Sequence, residues 1–275
     1  MTINCNENLI DLSTPKIMGI LNVTPDSFFD GGKFKNIEDA LLQTNKMLQD
    51  GATFIDIGAY SSKPGANPVS EEEELARILP IVTQIQSSFP NCILSIDTFR
   101  SSVAKACVEA GAAIVNDISG GNLDPNMFTT VAELKIPYIL MHMRGTPQNM
   151  QQNTTYDNLI KDIIFYFSEQ IYKAKEAGIN DIIIDPGFGF AKTLEQNYEL
   201  LHKLDLLQNL DAPILAGLSR KSMIYKTLKT DAKNALNGTT ALNMVCLNHG
   251  ANILRVHDVK EAVECVQLFN ALKKN

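Results

Sequence analysis

Eight apolar runs in this chain each end in a small cluster of polar residues, and a helical pattern follows each run. The clusters are NVTPDS (22–27), DIGAYSS (56–62), SIDT (95–98), NDISGG (116–121), MHMRG (141–145), DPGFGF (185–190), GLSRKS (217–222) and RVHD (255–258). Strands alternating with helices build a parallel sheet. Eight such units close into a barrel whose chemistry collects at the carboxyl ends of the strands. The expected fold is therefore α/β, a (β/α)8 TIM barrel forming a single domain over residues 1–275. The polar endings, distant in sequence, would then converge on one mouth.

The strands are expected at 17–23, 54–60, 92–97, 113–119, 138–143, 181–187, 213–219 and 251–258. Their apolar runs lack clean alternation, as befits strands covered on both sides. Helices are expected at 37–51, 71–86, 101–110, 126–135, 156–177 and 195–207, in a segment that includes 238–248, and over the end of the chain. Gly111, Gly178 and Gly250 read as helix stops. Ser70 reads as an N-cap, and the four glutamates that follow it read as a solvated first turn favoured by the helix dipole. Pro80 lies inside that helix and predicts a kink. No linker or low-complexity stretch divides the chain, and 275 residues fits the roughly 250 of one such barrel.

The formal net charge of −7, without a Lys/Arg run, argues against a nucleic-acid surface and a polybasic membrane anchor. No apolar run approaches the roughly 20 residues that span a bilayer. The opening MTINCNENLIDL has neither a basic nor an apolar leader region, so a cytoplasmic protein is expected. Five cysteines without a CxxC spacing read as reduced and buried, not as disulfides or a zinc site.

Asp97, Asn116 and Asp185 end three of the strands and would face one ligand. A carboxylate accepts two parallel hydrogen bonds, so Asp185 suits a ring edge that presents an N–H beside an amino group. Asn116 donates and accepts at once, which suits the mixed edges of a heterocycle. Each aspartate alone reads equally as a cap for the turn that follows it. Lys221, Arg255 and His257 supply basic groups from the last two strands, the corner where such barrels often hold phosphate. The alternative there is a salt bridge from Arg255 or Lys221 to Asp258 or to a barrel carboxylate. Lys221 falls where a helix N-terminus adds N–H donors, and His257 suits phosphate binding or proton transfer near neutral pH. Asn22 offers an oxygen of the kind Mg²⁺ takes beside phosphate and water, though an isolated Asn is more often a turn residue. Phe188 and Phe190 would wall an aromatic ligand or pack in the core, and His142 and Met143 would line the pocket floor.

The ordered motifs NVTPDSFFDGG, DIGAYSSKPGA, SIDTFR, NDISGG, LMHMRGTPQNMQ, DPGFGFAKT, GLSRKS, GTTAL and RVHDV resemble the dihydropteroate synthase family over nearly the whole chain. The resemblance implies an enzyme of folate biosynthesis. It would condense (7,8-dihydropterin-6-yl)methyl diphosphate with p-aminobenzoate, giving 7,8-dihydropteroate and pyrophosphate by an SN1-like route. It also implies roles by position. Asp97, Asn116, Asp185 and Lys221 would hold the pterin. Arg255 would stack on it and, with His257, hold the diphosphate. Asn22 would ligate Mg²⁺, and Ser62 would contact the diphosphate or the incoming amine. Pro64, Phe190, Lys221 and Ser222 would form the p-aminobenzoate pocket, the target of sulfonamides. A homodimer formed through exterior helices of the second half is implied as well. The second loop departs from the family's usual GGESTRPG: Ala59, Tyr60, Ser62 and Lys63 replace Gly, Glu, Thr and Arg, and Phe29 stands where Ser is common in the first. Competing readings are a pterin-dependent methyltransferase, a class I aldolase with Lys221 as Schiff-base nucleophile, and a pterin-binding protein without turnover.

Overall fold

The computed structural model describes residues 1–23, 37–60 and 69–273. The chain opens with a hairpin, β1 (Thr2–Cys5) and β2 (Asn8–Asp11). It continues as β3 (Lys16–Asn22), α1 (Ile37–Gln49), β4 (Phe54–Gly58), α2 (Glu71–Ser88), β5 (Ile93–Asp97), α3 (Ser101–Glu109), β6 (Ile114–Asp117) and α4 (Met127–Leu134). Then follow β7 (Tyr138–Met141), α5 (Leu159–Glu176), β8 (Ile182–Asp185), α6 (Leu194–His202), β9 (Leu215–Ala216), α7 (Ser222–Thr227), α8 (Leu236–Asn248), β10 (Ile253–Val256) and α9 (Val259–Lys273).

Among the described residues, β3 to β10 form one eight-stranded sheet in the order β8-β7-β6-β5-β4-β3-β10-β9, and every pair in it is parallel. A parallel bridge between Ile184 and Ile214 joins its two edges and closes the barrel. The expected α/β barrel is therefore the observed one.

Strand side chains alternate between the two faces of the sheet. Ile55, Ile57, Leu94, Ile96, Val115, Leu140, Ile184 and Leu254 face outward into the large core beneath the helices. Met18, Phe54, Ile114, Ile139, Ile183, Leu215 and Ile253 face inward and pack together as an apolar floor. Two residues further along, four of these inward positions become polar: Asp56, Asn116, Asp185 and Arg255. The barrel thus has a dry lower half and a charged mouth.

The hairpin closes the bottom, and sequence patterning did not anticipate it. Its two-residue turn, Asn6 and Glu7, holds positive φ at both positions (48° and 67°), the geometry that matches strand twist in a tight hairpin. Ile3, Cys5 and Leu12 are buried against the barrel floor. The strands are too short and polar to register as a pattern by themselves.

Local chemistry sets the helix starts. Ser70 accepts from Glu73 N at 3.2 Å, and Thr193 and Gln196 form a reciprocal capping box. The fifth long helix begins at Leu159, later than the expected 156, because the Asn158 side chain caps it by accepting from Lys161 N at 3.1 Å. Pro80 does not interrupt α2, which runs from Glu71 to Ser88. The carbonyl deprived of its partner belongs to Ala76, which is exposed on the same face as Pro80, so the lost bond is not buried. The expectation of four solvated glutamates is wrong for Glu74. That side chain is fully buried, accepts from Thr98 Oγ1 at 2.7 Å and pairs with Arg100. The segment after β9 makes two helices, α7 and α8, where one was expected. All five cysteines are free and buried.

Leu12 is wholly buried against that floor. Leu12→Ala is expected to cost about 3 kcal/mol, read as a lower urea midpoint at unchanged slope. A loss under about 1 kcal/mol would mean that the hairpin only rests on the barrel.

Candidate active site

The mouth is organised around Arg255 on β10. Its Nε donates to Asp56 Oδ2 at 2.6 Å and its Nη2 to Asp97 Oδ2 at 2.8 Å. Asn116 Nδ2 donates to the same Asp56 oxygen at 3.0 Å. Four strands are joined by these three bonds. Asp56 is fully buried, and its Oδ1 has no hydrogen-bond partner among the described residues. Burial pushes the Asp97 carboxyl well above its usual range; Arg255 opposes the shift and Asp56 adds to it. Burial also works against the Arg255 charge, but Asp56 and Asp97 outweigh it and hold the guanidinium protonated.

Asp185 and Lys221 occupy the adjoining sector. Gly217 lies between Asp185 and Arg255: a Cβ there would stand 3.7 Å from Asp185 Oδ2 and 3.9 Å from Arg255 Cβ. Asp185 Oδ1 accepts from Gly187 N at 2.8 Å, so it keeps the turn-capping role open to any strand-end aspartate while facing the mouth. Burial raises its pKa, and Lys221 counters the rise. Lys221 is the N-cap residue of α7, at a helix start as expected. Its Nζ donates to Phe188 O at 2.5 Å and lies 4.8 Å from the centre of the Phe190 ring. Burial brings its pKa down to about 8, against the pull of Asp185.

His257 differs from its expected state. Burial, followed by Arg255, lowers its pKa to about 4, so the ring is neutral at physiological pH and is not a cation. Ser219 Oγ accepts from His257 N at 3.2 Å and lies 3.1 Å from Nδ1. A hydroxyl that donates to Nδ1 leaves the ring proton on Nε2. The ion pair considered for Arg255 or Lys221 with Asp258 is made by Arg220 instead. Its Nε and Nη2 reach the two Asp258 oxygens at 2.8 Å each, and Nη1 donates to Ala232 O at 2.9 Å. Arg220 has a φ of 55°, and the left-handed step separates its side chain from that of the next residue, Lys221. Arg255, for its part, pairs with barrel carboxylates.

The two phenylalanines divide. Phe188 is fully buried in the core beneath the helices, whereas Phe190 packs beside Met141, Met143 and Met150 near the mouth. His142 is not on the pocket floor. It is buried behind the strand, beside the Tyr166 ring at 4.9 Å. Its Nδ1 lies 3.0 Å from Nζ of buried Lys192.

Asn22 ends β3, opposite Gly58 in register. Ser222 is the first residue of α7 and lines a cavity of about 150 Å³ with Gln151, Gly189 and Lys226. Ser62 and Pro64 lie outside the described residues, as does the first loop beyond Val23. Sequence reasoning missed Asp56, Lys192 and the Glu74–Arg100 pair. Asp56 was visible as a charged residue inside an apolar strand. Among the described residues, no group of three or more His, Cys, Asp or Glu side chains is arranged to hold a metal ion.

This barrel, with a polar, charged mouth over an apolar floor, defines a class. The chain belongs to the pterin binding enzyme family, which matches residues 18–257. Within it the chain belongs with the dihydropteroate synthases. It is 44% identical to the dihydropteroate synthase of Escherichia coli over 264 residues, 95% of this chain and 93% of that one. The Yersinia pestis dihydropteroate synthase in complex with a sulfonamide drug superposes with a TM-score of 0.96 at 42% identity, covering 100% of both chains. The Xanthomonas albilineans enzyme in complex with 7,8-dihydropteroate superposes with a TM-score of 0.89 at 34% identity, again covering 100% of both.

Two measurements probe this geometry. Asp56→Ala leaves Arg255 one carboxylate and Asn116 no acceptor, and is expected to cost about 3 kcal/mol. A change below about 1 kcal/mol would mean that Asp97 alone holds Arg255. The lowered His257 pKa has a defined sign. The unfolded chain binds this proton below its ordinary value of 6.5, while the folded chain binds it only below about 4. Stability is therefore full above 6.5 and is lost as pH falls through that window. Urea unfolding at pH 7 and pH 5 should show a smaller loss for His257→Asn than for the wild type.

Proposed function

We propose that the chain joins (7,8-dihydropterin-6-yl)methyl diphosphate to p-aminobenzoate, forming 7,8-dihydropteroate and releasing pyrophosphate. The observation that carries this reading is the gathering of Asp97, Asn116, Asp185, Lys221 and Arg255 around one mouth over a dry floor. A flat, donor-rich bicycle with an anionic tail fits that arrangement, and the family's own chemistry agrees with it.

Asp185 accepts from the paired N–H groups of the pterin edge, as a two-oxygen acceptor does. Asn116 spends its amide donor on Asp56, which leaves its Oδ1 as an acceptor toward the ring. Arg255 is already fixed by two carboxylates, so its planar face and remaining N–H groups meet the substrate without reorganisation. Lys221, anchored on Phe188 O, stands between the pterin and the aryl amine. His257 donates a neutral hydrogen bond to the diphosphate. A bound dianion raises the imidazole pKa, so His257 gains charge as the leaving group does.

The carbon–oxygen bond breaks first, and the electron-rich pterin spreads the positive charge. Pyrophosphate takes the bonding pair as that bond breaks; the p-aminobenzoate nitrogen then attacks the methylene carbon with its lone pair and gives up a proton to water. Arg255, Lys221 and His257 stabilise charge that develops only as the bond breaks, the electrostatic contribution that most raises rate. Phe190, Lys221 and Ser222, with Ser62 and Pro64, are assigned to the aryl amine. Asn22 is assigned to Mg²⁺. One neutral oxygen at the mouth suits an ion held mainly by phosphate oxygens and water. Bound there, Mg²⁺ would neutralise diphosphate charge.

We also read the protein as a cytoplasmic homodimer. Buried free cysteines suit a reducing compartment, and Leu268 and Leu272 are exposed on α9. Light scattering tests the dimer.

The decisive experiment is a coupled pyrophosphate-release assay with and without Mg²⁺. Turnover that requires p-aminobenzoate and Mg²⁺, with sulfonamides competing against p-aminobenzoate, is expected. Pterin binding without release would make the protein a silent binder, and borohydride trapping at Lys221 would make it an aldolase. Asp185→Asn should weaken pterin binding by about 1–3 kcal/mol, because one acceptor becomes a donor facing the ring's donors; unchanged affinity removes Asp185 from the site.

A further inference from the structure

The turn after β8, residues 187–191, carries both the Phe190 ring and the Phe188 carbonyl that anchors Lys221. Its backbone is unusual. Gly187, Gly189 and Ala191 all have positive φ, at 69°, 83° and 48°. A Cβ on Gly187 would lie 2.2 Å from His142 O, so only glycine fits there. Such a turn persists only where its surroundings over-determine it.

The determinant on the inner side is Lys192. It is 3% exposed, and its Nζ lies 3.0 Å from each of three groups: Gly187 O, Phe190 O and His142 Nδ1. Burial lowers the Lys192 pKa to about 7 against the pull of Asp185; in its charged form the three protons of the ammonium, which has no acceptor, match these three acceptors one to one. That match requires His142 to be neutral with its proton on Nε2, and burial does hold its pKa well below the usual range. Neutral groups hold the rest of the turn, and Tyr156 Oη donates to Ala191 O at 2.8 Å. Gln151 Nε2 reaches Gly189 O at 3.3 Å, while Asn197 Oδ1 accepts from Gly189 N at 2.6 Å. Lys192 and Lys221 therefore grip different carbonyls of the turn: Lys192 takes those of Gly187 and Phe190, and Lys221 that of Phe188.

We infer that Lys192 is a positioning residue: through the Gly187 and Phe190 carbonyls and His142 it fixes the turn that carries the Phe190 wall, and so sets affinity for the aryl amine. This rests on the synthase reading above. It assigns to the AKT segment of DPGFGFAKT, and to His142 of MHMRG, a joint role that their positions outside the mouth conceal.

The test separates positioning from general loosening. In Lys192→Met an unbranched chain of similar length replaces the ammonium and removes all three donors. The KM for p-aminobenzoate should rise about tenfold, with kcat and pterin affinity changed by less than about threefold. His142→Asn keeps an acceptor near the Nδ1 position and should behave as wild type, whereas His142→Leu should reproduce the KM defect. A KM for Lys192→Met within about twofold of wild type overturns the inference. So does a joint fall in kcat and both affinities, which marks a merely structural residue. If Lys192→Met does not fold, the His142 pair decides, and equal behaviour of Asn and Leu overturns it. Wild type assayed in parallel distinguishes the two readings: no pyrophosphate release sinks the synthase assignment together with this role, and normal release with unaffected variants sinks this role alone.

Discussion

The ion pairs of Arg255 with Asp56 and Asp97 are the constraint on which the mouth depends. Three ionisable groups are taken into the upper barrel, where an unpaired charge would cost several kcal/mol. Each is tolerable because the others are there. Asp56 Oδ2 receives both Arg255 and Asn116, so one buried oxygen sets the positions of two residues assigned to the pterin. A guanidinium held before substrate arrives needs no reorganisation when charge develops, which is where preorganised sites gain over water.

The fold supplies the second condition, a low-dielectric support. The inward side chains below Asp56 are Phe54, Met18, Ile114 and their neighbours, and the hairpin seals them from beneath. Fields from Arg255 and Lys221 act across a dry interior and are screened less than at a surface. The same burial shifts the mouth groups away from charge: Asp97 and Asp185 move up, and Lys221 and His257 move down. On the proposed reading, a ligand carrying both N–H donors and phosphates would favour the charged forms of the groups it meets.

Neighbouring letters in a motif serve different purposes here. In SIDTFR, Asp97 pairs with Arg255 in the mouth, while Thr98 and Arg100 reach backward to Glu74 and hold the start of α2. In NDISGG, Asn116 faces inward, while Asp117 accepts from Tyr138 Oη, Ser119 N and Gly121 N and builds the turn. In SRKS, Arg220 ties the loop to Asp258 while Lys221 enters the mouth. Each motif is part ligand and part brace, which is why its spacing alone does not separate the roles.

The sequence by itself determined the barrel, the order of its strands and the residues at their carboxyl ends, because apolar period and turn chemistry are local and survive in one dimension. It also determined that Asp97, Asn116, Asp185, Lys221 and Arg255 belong to one face. Tertiary structure alone decided which charges pair. Arg255 lies 199 positions from Asp56 and 158 from Asp97, and Lys192 lies 50 from His142. Contacts that distant leave no periodic trace in the chain. Whether an arginine braces a loop or lines a mouth, and whether a glutamate is solvated or buried, depends on what closure of the barrel brings within about 3 Å.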